Sequence, residues 1–254
     1  MIPFLPRHRA HDYAALMAGW ERVATQAGLQ AVTLGLAGPL PVVVFQSAAA
    51  AQGQPAVYLS SGVHGDEPAP PWGLLSWALD HLDLLRTGAF ILSPCLNPVG
   101  LVGNTRMDGQ GKDLNRRFHV TRDPLIKAWR TFMKGRALVF GLCLHEDYDS
   151  QGCYVYELST QRRLLCEVPM TAVEEFLPRD LRREIEGRPA RRGIIRPKFV
   201  PSGFQGPEAL ALHQQGCPVT LTFETPSEFG LDDRVQAHRR FIEASLEHIV
   251  GIRA

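Results

Sequence analysis

The sequence has few cysteines, no long apolar run and no segment that resembles a targeting signal. Its five cysteines include no C-x-x-C pair, and an odd number cannot be fully paired within one chain. This pattern argues against a disulfide framework and indicates free thiols in a reducing compartment. No window approaches the ~18 consecutive apolar residues that a membrane helix needs, and the first residues contain no apolar core of a signal peptide. We therefore expect a cytoplasmic protein with no membrane partner.

The sequence also lacks an excess of charge of either sign. Lys and Arg total 27 and Asp and Glu total 26, so the formal net charge is +1. This balance gives no global electrostatic reason to bind nucleic acid. A run of arginines between 182 and 192 is interleaved with Glu184 and Glu186, which is typical of a solvated surface. The expected partner is a small specific molecule, and the sequence does not indicate an oligomeric state.

Apolar residues alternate between helical and strand-like patterns along the chain. Helical spacing covers residues 13–27, 70–86, 124–134, 162–176 and 231–250. Strand-like runs cover residues 31–36, 41–45, 56–59, 89–92, 137–144, 154–158 and 219–223. This alternation predicts an α/β fold over 1–254 as a single domain, with a mixed, largely parallel central sheet and helices on both faces. Residues 94–118 are predicted to form a long functional loop, and 178–207 are rich in Arg, Pro and Gly.

Ionisable residues follow three of the predicted strands. His64 and Glu67 come after one strand, His145 after a second and Glu224 after a third. Ligand sites in open α/β sheets gather at the carboxyl ends of strands. Two histidines and a carboxylate form a zinc set with a fourth position left for water, and a further carboxylate can act as the base.

Each of these residues also has a structural interpretation. Asp66 or Glu67 could simply cap a helix in a surface loop. His145 alone could be a hydrogen-bonded residue at a strand end, and Glu224 alone a strand terminator. Their shared position at strand exits favours the functional interpretation.

The predicted long loop supplies further polar motifs. It contains Asn97-Pro98-Val99-Gly100, then Arg106, then Asp113-Leu114-Asn115-Arg116. Together with the His-x-x-Glu pair before it and the later His and Glu, this order resembles the carboxypeptidase A-type zinc metallopeptidases. The same superfamily includes murein-peptide amidases and the succinylglutamate desuccinylase and aspartoacylase branch. The matching motifs extend over residues 57–226.

The resemblance implies a role for seven residues and a zinc-carboxypeptidase-like fold. The residues that resemble the zinc ligands, for one Zn²⁺ per chain, are His64, Glu67 and His145. Glu224 resembles the general base and acid, and Arg106 the group that polarises the scissile carbonyl. Asn115 and Arg116 resemble the pair that binds a substrate carboxylate, for which a planar guanidinium is well suited. Arg117 is expected to be a solvated neighbour outside the site.

The implied activity is hydrolysis of an amide bond next to a free carboxylate. The favoured hypothesis is a metallocarboxypeptidase acting on a small peptide, and the alternative is an N-acyl amino acid deacylase. A zinc-retaining binding protein without turnover is a third hypothesis, against which the presence of Glu224 argues.

The sequence departs from the family pattern at several positions. Val99 stands where the family has Asp. Carboxypeptidases carry a mobile tyrosine before the base, but no tyrosine lies between 160 and 224. The tyrosines after His145 are Tyr148, Tyr154 and Tyr156, and none can be assigned to that role. The pair Glu146-Asp147 could support a metal ligand from behind or could be two solvated acids.

Overall fold

The computed structural model describes residues 9–197 and 206–252. The first eight residues, on which the signal-peptide prediction rests, lie outside this part, as do residues 198–205 of the predicted Arg-, Pro- and Gly-rich segment. No helix in the described ranges is long and apolar enough to cross a membrane.

Eight strands form one mixed sheet in the order β1-β2-β4-β3-β5-β10-β6-β9. In chain order the ten strands of the described residues are β1 (Gln30–Ala37), β2 (Leu40–Gln46), β3 (Ala56–Ser60), β4 (Phe90–Ser93), β5 (Leu138–Asp147), β6 (Tyr154–Ser159), β7 (Glu184–Ile185), β8 (Arg188–Pro189), β9 (Ile194–Ile195) and β10 (Val219–Pro226). Strands β7 and β8 form a separate antiparallel hairpin. Strands β4, β3, β5 and β10 run parallel to their neighbours in that order, and β6 pairs with β9 in parallel. The remaining neighbours are antiparallel. The predicted mixed sheet is confirmed.

Helices cover both faces of this sheet. They are α1 (Tyr13–Ala27), α2 (Ala48–Ala51), α3 (Ala69–Asp80), α4 (Leu82–Thr87), α5 (Pro98–Gly103), α6 (Pro124–Met133), α7 (Glu167–Val173), α8 (Glu208–Gln214) and α9 (Leu231–Ser245). One core contains Trp20, Trp77 and Phe241 from α1, α3 and α9. The other contains Trp129 of α6 and Leu212 of α8. Alternate strand residues therefore point into two separate apolar layers.

Two predicted helices differ from the structure. The helix predicted over 70–86 is divided into α3 and α4 at His81, whose backbone leaves the helical region at φ −124°, ψ 37°. The helix predicted over 162–176 begins only at Glu167. The N–H groups of Leu165 and Cys166 donate to the side chain of Glu157 instead of continuing a helix. Side-chain acceptors of this kind compete with the backbone for donors.

The predicted loop at 94–118 and the end of the chain also contain unpredicted structure. Asn97 accepts a hydrogen bond from the Gly100 N–H and so begins α5 inside that loop, with Pro98 in its first turn. Residues Leu114–Arg116 form a 3₁₀ turn. Helix α8 was not predicted, and α9 passes into a π-helical turn at Leu246–Val250 rather than continuing to 250 as an α-helix.

Candidate active site

The carboxyl ends of β3, β5 and β10 place the predicted site residues at one edge of the sheet. Glu224 of β10 is directly opposite His145 of the parallel strand β5, so their side chains point to the same face. His64 and Glu67 lie in the segment that leaves β3 and enters α3. His64, Glu67 and His145 are all buried.

The segment after β3 reaches the site because it packs closely against the start of the predicted loop. The N–H of Asn97 donates to the carbonyl of Gly62, and the N–H of Gly65 donates to the carbonyl of Thr105. A Cβ atom on Gly65 would lie 1.8 Å from the carbonyl carbon of Gly100. Only glycine permits this approach, which fixes the backbone directly after His64.

Three side chains converge on one point. Nδ1 of His64 lies 2.5 Å from Oε1 of Glu67, and Nδ1 of His145 lies 2.9 Å from Oε2 of the same carboxylate. The ligand atoms of these three residues lie within 4.8 Å of one another. Two imidazole nitrogens and one carboxylate oxygen are a donor set that suits zinc. The structure therefore brings together the three residues that the sequence predicted as metal ligands.

The electrostatics of this cluster favour a bound cation. Burial raises the pKa of Glu67, but the two imidazoles outweigh this effect and lower its pKa to about 2. Burial lowers the pKa of His64, but Glu67 and Asp113 outweigh it and raise the pKa to about 9. Without a metal ion, the carboxylate of Glu67 therefore pairs with protonated imidazole. A metal ion that binds to these side chains must displace the imidazole protons.

Asp113 orients His64 from the side of the ring opposite Glu67. Its Oδ1 lies 3.2 Å from Nε2 of His64, and its Oδ2 accepts hydrogen bonds from Arg106. A carboxylate on the second nitrogen of a ligating imidazole fixes the ring and increases its basicity. The sequence analysis did not predict this role, although Asp113 is the first residue of the Asp-Leu-Asn-Arg motif from which Asn115 and Arg116 were assigned.

The guanidinium of Arg106 lies beside the candidate metal ligands. Its Nη1 is 3.2 Å from Nδ1 of His64 and 3.7 Å from Oε1 of Glu67. Its Nε and Nη2 bind Asp113, which holds the planar group in place. Arg106 is thus close enough to donate to an oxygen bound near the three ligands.

The amide of Asn115 is also part of this cluster. Its Oδ1 accepts the N–H of Glu208 at 2.9 Å, and its Nδ2 lies 3.4 Å from Nε2 of His145. The Glu208 carboxylate is itself buried and accepts hydrogen bonds from Tyr58 and Ser60. Because one hydrogen of Nδ2 faces His145, only the other can reach a substrate.

Arg116 and Arg117 differ in their surroundings. Arg116 is exposed, and no carboxylate of a described residue lies within ion-pair distance of it; its Nη1 donates to the backbone carbonyl of Asn115. Arg117 is half-buried and paired with Asp123 at 3.2 Å. Arg117 is therefore an internal structural residue rather than the solvated neighbour that the sequence suggested, while Arg116 keeps its charge available.

Glu224 is buried beside the cluster. Burial raises its pKa well above the usual range, and the charge of Glu67 opposes its ionisation further, although His145 favours it. Burial and the neighbouring carboxylate therefore favour the protonated form of this carboxyl group.

Of the three tyrosines after His145, two lie on β6, the strand that pairs with the strand of Glu224. Tyr154 is directly opposite Glu224 in the antiparallel pair of β10 and β6, and its hydroxyl donates to Asp147. The hydroxyl of Tyr156 donates to Glu186 at the tip of the β7–β8 hairpin, at 2.7 Å. Tyr148 is exposed. The hydroxyls of Tyr154 and Tyr156 are therefore occupied, and the structure assigns none of the three to the role of the family's mobile tyrosine.

Comparison with known proteins supports the resemblance stated for the sequence. The model of the succinylglutamate desuccinylase/aspartoacylase catalytic domain matches residues 53–132. This segment contains two predicted metal ligands, His64 and Glu67, together with Arg106 and the predicted substrate-binding pair Asn115 and Arg116. It ends before His145 and Glu224. No curated protein matches the chain in sequence.

Solved structures share the fold over nearly the whole chain. A protein from Shewanella baltica described as a candidate metallopeptidase is 25% identical, with a TM-score of 0.82 and coverage of 94% of this chain and 93% of that one. A similarly described protein from Shewanella amazonensis is 23% identical, with a TM-score of 0.84 and coverage of 94% of each chain. A metallo-carboxypeptidase from Pseudomonas aeruginosa, solved with (2-guanidinoethylmercapto)succinic acid, is 17% identical with a TM-score of 0.63. The match covers 97% of this chain and 69% of that one.

These comparisons confirm the predicted resemblance to this superfamily and the carboxypeptidase-like fold. Together with the His–Glu–His cluster, they support a metal-dependent enzyme of a metallopeptidase- and carboxypeptidase-like superfamily.

Proposed function

We propose that the chain is a single catalytic domain of a zinc-dependent hydrolase that cleaves an amide bond next to a free carboxylate. The observation that carries the proposal is the convergence of His64, Glu67 and His145 beside the buried carboxyl group of Glu224. Metallocarboxypeptidase action on a small peptide is the activity that we favour.

In this proposal the Nδ1 atoms of His64 and His145 and the carboxylate of Glu67 would hold one zinc ion. When bound, zinc acts as a Lewis acid that lowers the pKa of a water molecule towards ~7 and polarises a carbonyl group. Asp113 keeps the His64 ring in the orientation that directs Nδ1 towards Glu67.

Glu224 would serve as general base and then as general acid. Its carboxylate takes a proton from the attacking water and passes it to the nitrogen of the leaving group. The position of Glu224 directly opposite His145 supports this role, and the upward shift of its pKa on burial favours holding the proton between the two steps.

The arginines would stabilise the charges of the substrate. Arg106, held by Asp113, donates to the carbonyl oxygen as negative charge develops there. Arg116 binds the free carboxylate of the substrate, and the remaining N–H of Asn115 adds a hydrogen bond. Arg116 is exposed and makes no close ion pair with a described carboxylate, although its charge helps to lower the pKa of Asp113; this exposed guanidinium supports its use as a substrate anchor.

A deacylase for N-acyl amino acids is the second candidate. The match of residues 53–132 to the succinylglutamate desuccinylase/aspartoacylase model favours it. The likeness to a metallopeptidase structure over 94% of the chain, and over 97% to a metallo-carboxypeptidase solved with a succinic acid derivative, favours the peptidase. Both substrate classes present a free carboxylate next to the scissile amide.

A hydrolysis screen tests the proposal. Zinc-loaded protein is incubated with free-carboxylate dipeptides, cell-wall peptides and N-acyl amino acids, and the Glu224→Gln protein is the control for contaminating activity. Cleavage of dipeptides by the parent protein alone supports the peptidase, and cleavage restricted to N-acyl amino acids supports the deacylase. If the zinc-loaded protein cleaves none of these classes, the hydrolase proposal is wrong and the zinc-retaining binding protein remains.

A further inference from the structure

Glu146 is a buried carboxylate directly behind the candidate metal site. It follows His145 in β5, so its side chain points to the opposite face of the sheet, beneath α3 and α9. Its side chain is 0% exposed. The interpretation of Glu146 as a solvated acid is therefore wrong.

The Glu146 carboxylate binds three different segments. Its Oε2 accepts the N–H of Ala69 at 3.0 Å. Its Oε1 accepts the hydroxyl of Thr225 at 3.4 Å and a guanidinium N–H of Arg234 in α9. Both carboxylate oxygens are thus hydrogen-bonded inside the protein, and the guanidinium of Arg234 faces them.

Two of these partners, Ala69 and Thr225, lie within two residues of a site residue, and the third binds the turn after Glu224. Ala69 is two residues after Glu67 and begins α3, whose preceding residue Pro68 offers no side-chain cap. The Glu146 carboxylate takes the place of that cap. Thr225 directly follows Glu224.

Arg234 extends the connection to the turn after β10. Its Nε donates to the carbonyl of Phe229 at 2.9 Å, while another of its N–H groups donates to Glu146. The turn that follows Glu224 is therefore tied to the same carboxylate.

We propose that Glu146 is a positioning residue for the zinc site: one buried carboxylate fixes the segments that carry Glu67, His145 and Glu224 relative to one another. The proposal rests on the zinc assignment made under the proposed function. The proposal predicts that zinc affinity depends on Glu146, although its carboxylate forms no hydrogen bond with the side chain of His64, Glu67 or His145.

The physical reason is that Glu67 and His145 come from different segments. The imidazole of His145 is placed by β5, whereas the carboxylate of Glu67 is placed by the entry to α3. The Ala69 N–H to Glu146 contact is a direct link between these two segments. Loosening such a link changes the distances between ligands, and outer contacts of this kind typically account for 10–100-fold in metal affinity.

Glu157 offers a matched control. It is also a buried glutamate, and it accepts the N–H groups of Leu165 and Cys166 at 2.9 and 3.0 Å just before α7. Arg196 lies beside it at 3.6 Å. None of these three partners is next to a site residue. A purely structural effect of removing a buried carboxylate should therefore be similar at both positions.

The test measures zinc retention by zinc-loaded protein as a competing chelator is titrated. Glu146→Gln is expected to bind zinc 10–100-fold more weakly than the parent protein. Glu157→Gln is expected to bind zinc with the affinity of the parent. Unfolding midpoints of both variants show that they are folded under the conditions of the titration, and both are expected to be less stable than the parent.

Zinc affinity equal to that of the parent in folded Glu146→Gln protein would overturn the proposal, as would an equal loss in both variants. If Glu146→Gln does not fold, Thr225→Val replaces it; this change removes the hydroxyl that donates to Glu146 and that also contacts Nε2 of His238, so His238→Gln is its control for the loss of the second contact. Thr225→Val is expected to bind zinc at least threefold more weakly, and unchanged affinity would then overturn the proposal. A parent protein that binds no zinc would instead refute the metal assignment itself.

Discussion

The carboxylate of Asp113 lies 3.2 Å from Nε2 of His64, while Nδ1 of the same ring faces Glu67. The same carboxylate binds Arg106 and so places the guanidinium beside the candidate ligands. One side chain of the predicted loop thereby orients both a metal ligand and the arginine proposed to stabilise the oxyanion.

This relationship predicts that Asp113→Asn weakens zinc binding. The neutral amide neither increases the basicity of the imidazole nor pairs with Arg106, so zinc affinity should fall about 10–100-fold. Chelator competition measures the loss. Asp108→Asn in the same loop is the control, because the Asp108 carboxylate accepts hydrogen bonds from the N–H groups of Gln110 and Lys112, neither of which is a site residue. Equal affinities in the two variants would contradict the role of Asp113.

Glu224→Gln tests proton transfer. The isosteric amide cannot accept the proton of water, so kcat should fall by about 10²–10⁴-fold. Zinc content should be unchanged, because Glu224 is not among the three converging ligands. Steady-state rates and elemental analysis of the same sample measure both. A rate near that of the parent with intact zinc would exclude Glu224 as the base.

Arg116→Ala tests the carboxylate anchor on a matched pair of substrates, a free acid and its C-terminal amide. The parent should prefer the acid, since only the acid forms charge-assisted hydrogen bonds with the guanidinium. Because Arg116 is exposed, solvent screens the pair, and its loss should cost about 0.2–1 kcal/mol, or up to about fivefold in kcat/KM; the variant should lose most of the preference.

Arg117→Ala is the neighbouring control for this experiment, because Arg117 is paired with Asp123 and not with the site. It should keep the preference for the acid even if it is less stable. The anchor hypothesis does not survive if folded, zinc-loaded Arg116→Ala discriminates as well as the parent does.

His238 predicts a pH dependence of stability. It is buried in α9 with Nε2 3.0 Å from the Thr225 hydroxyl, and burial holds its pKa well below 6.5. As pH falls through ~6.5 the unfolded chain binds a proton that the folded chain does not. His238 therefore reduces the free energy of unfolding at acid pH, by at most about 1.4 kcal/mol per pH unit.

His238→Gln removes this titration. Denaturant unfolding at pH 7, 6 and 5 should show a smaller acid-induced loss of stability in the variant than in the parent, whatever the difference at pH 7. Parallel stability curves for the two proteins would show that His238 is not the group responsible.

The sequence predicts the site better than it predicts the contacts that support the site. Apolar strands followed by ionisable residues placed His64, His145 and Glu224 at strand ends, and all three reach the same edge of the sheet. The parallel order of β3, β5 and β10 is what makes this prediction work, because it brings the carboxyl ends of the three strands together.

The supporting contacts could not be predicted because they depend on how distant elements pack. Glu146 meets Arg234, 88 residues later, because α9 packs against α3 and β10 on the face of the sheet to which Glu146 points. The division between α3 and α4 at His81 likewise follows from local backbone geometry that the apolar spacing does not show. The short helix α8, with the sequence Glu-Ala-Leu-Ala-Leu-His-Gln, is too brief for helical periodicity to identify it.

Zinc content measured by elemental analysis of purified protein tests the central claim most directly. The account predicts about one zinc per chain in the parent protein, removable by a chelator, and little in His64→Ala or His145→Ala. Circular dichroism of each variant confirms that it is folded. Full zinc occupancy in both folded histidine variants would contradict the account.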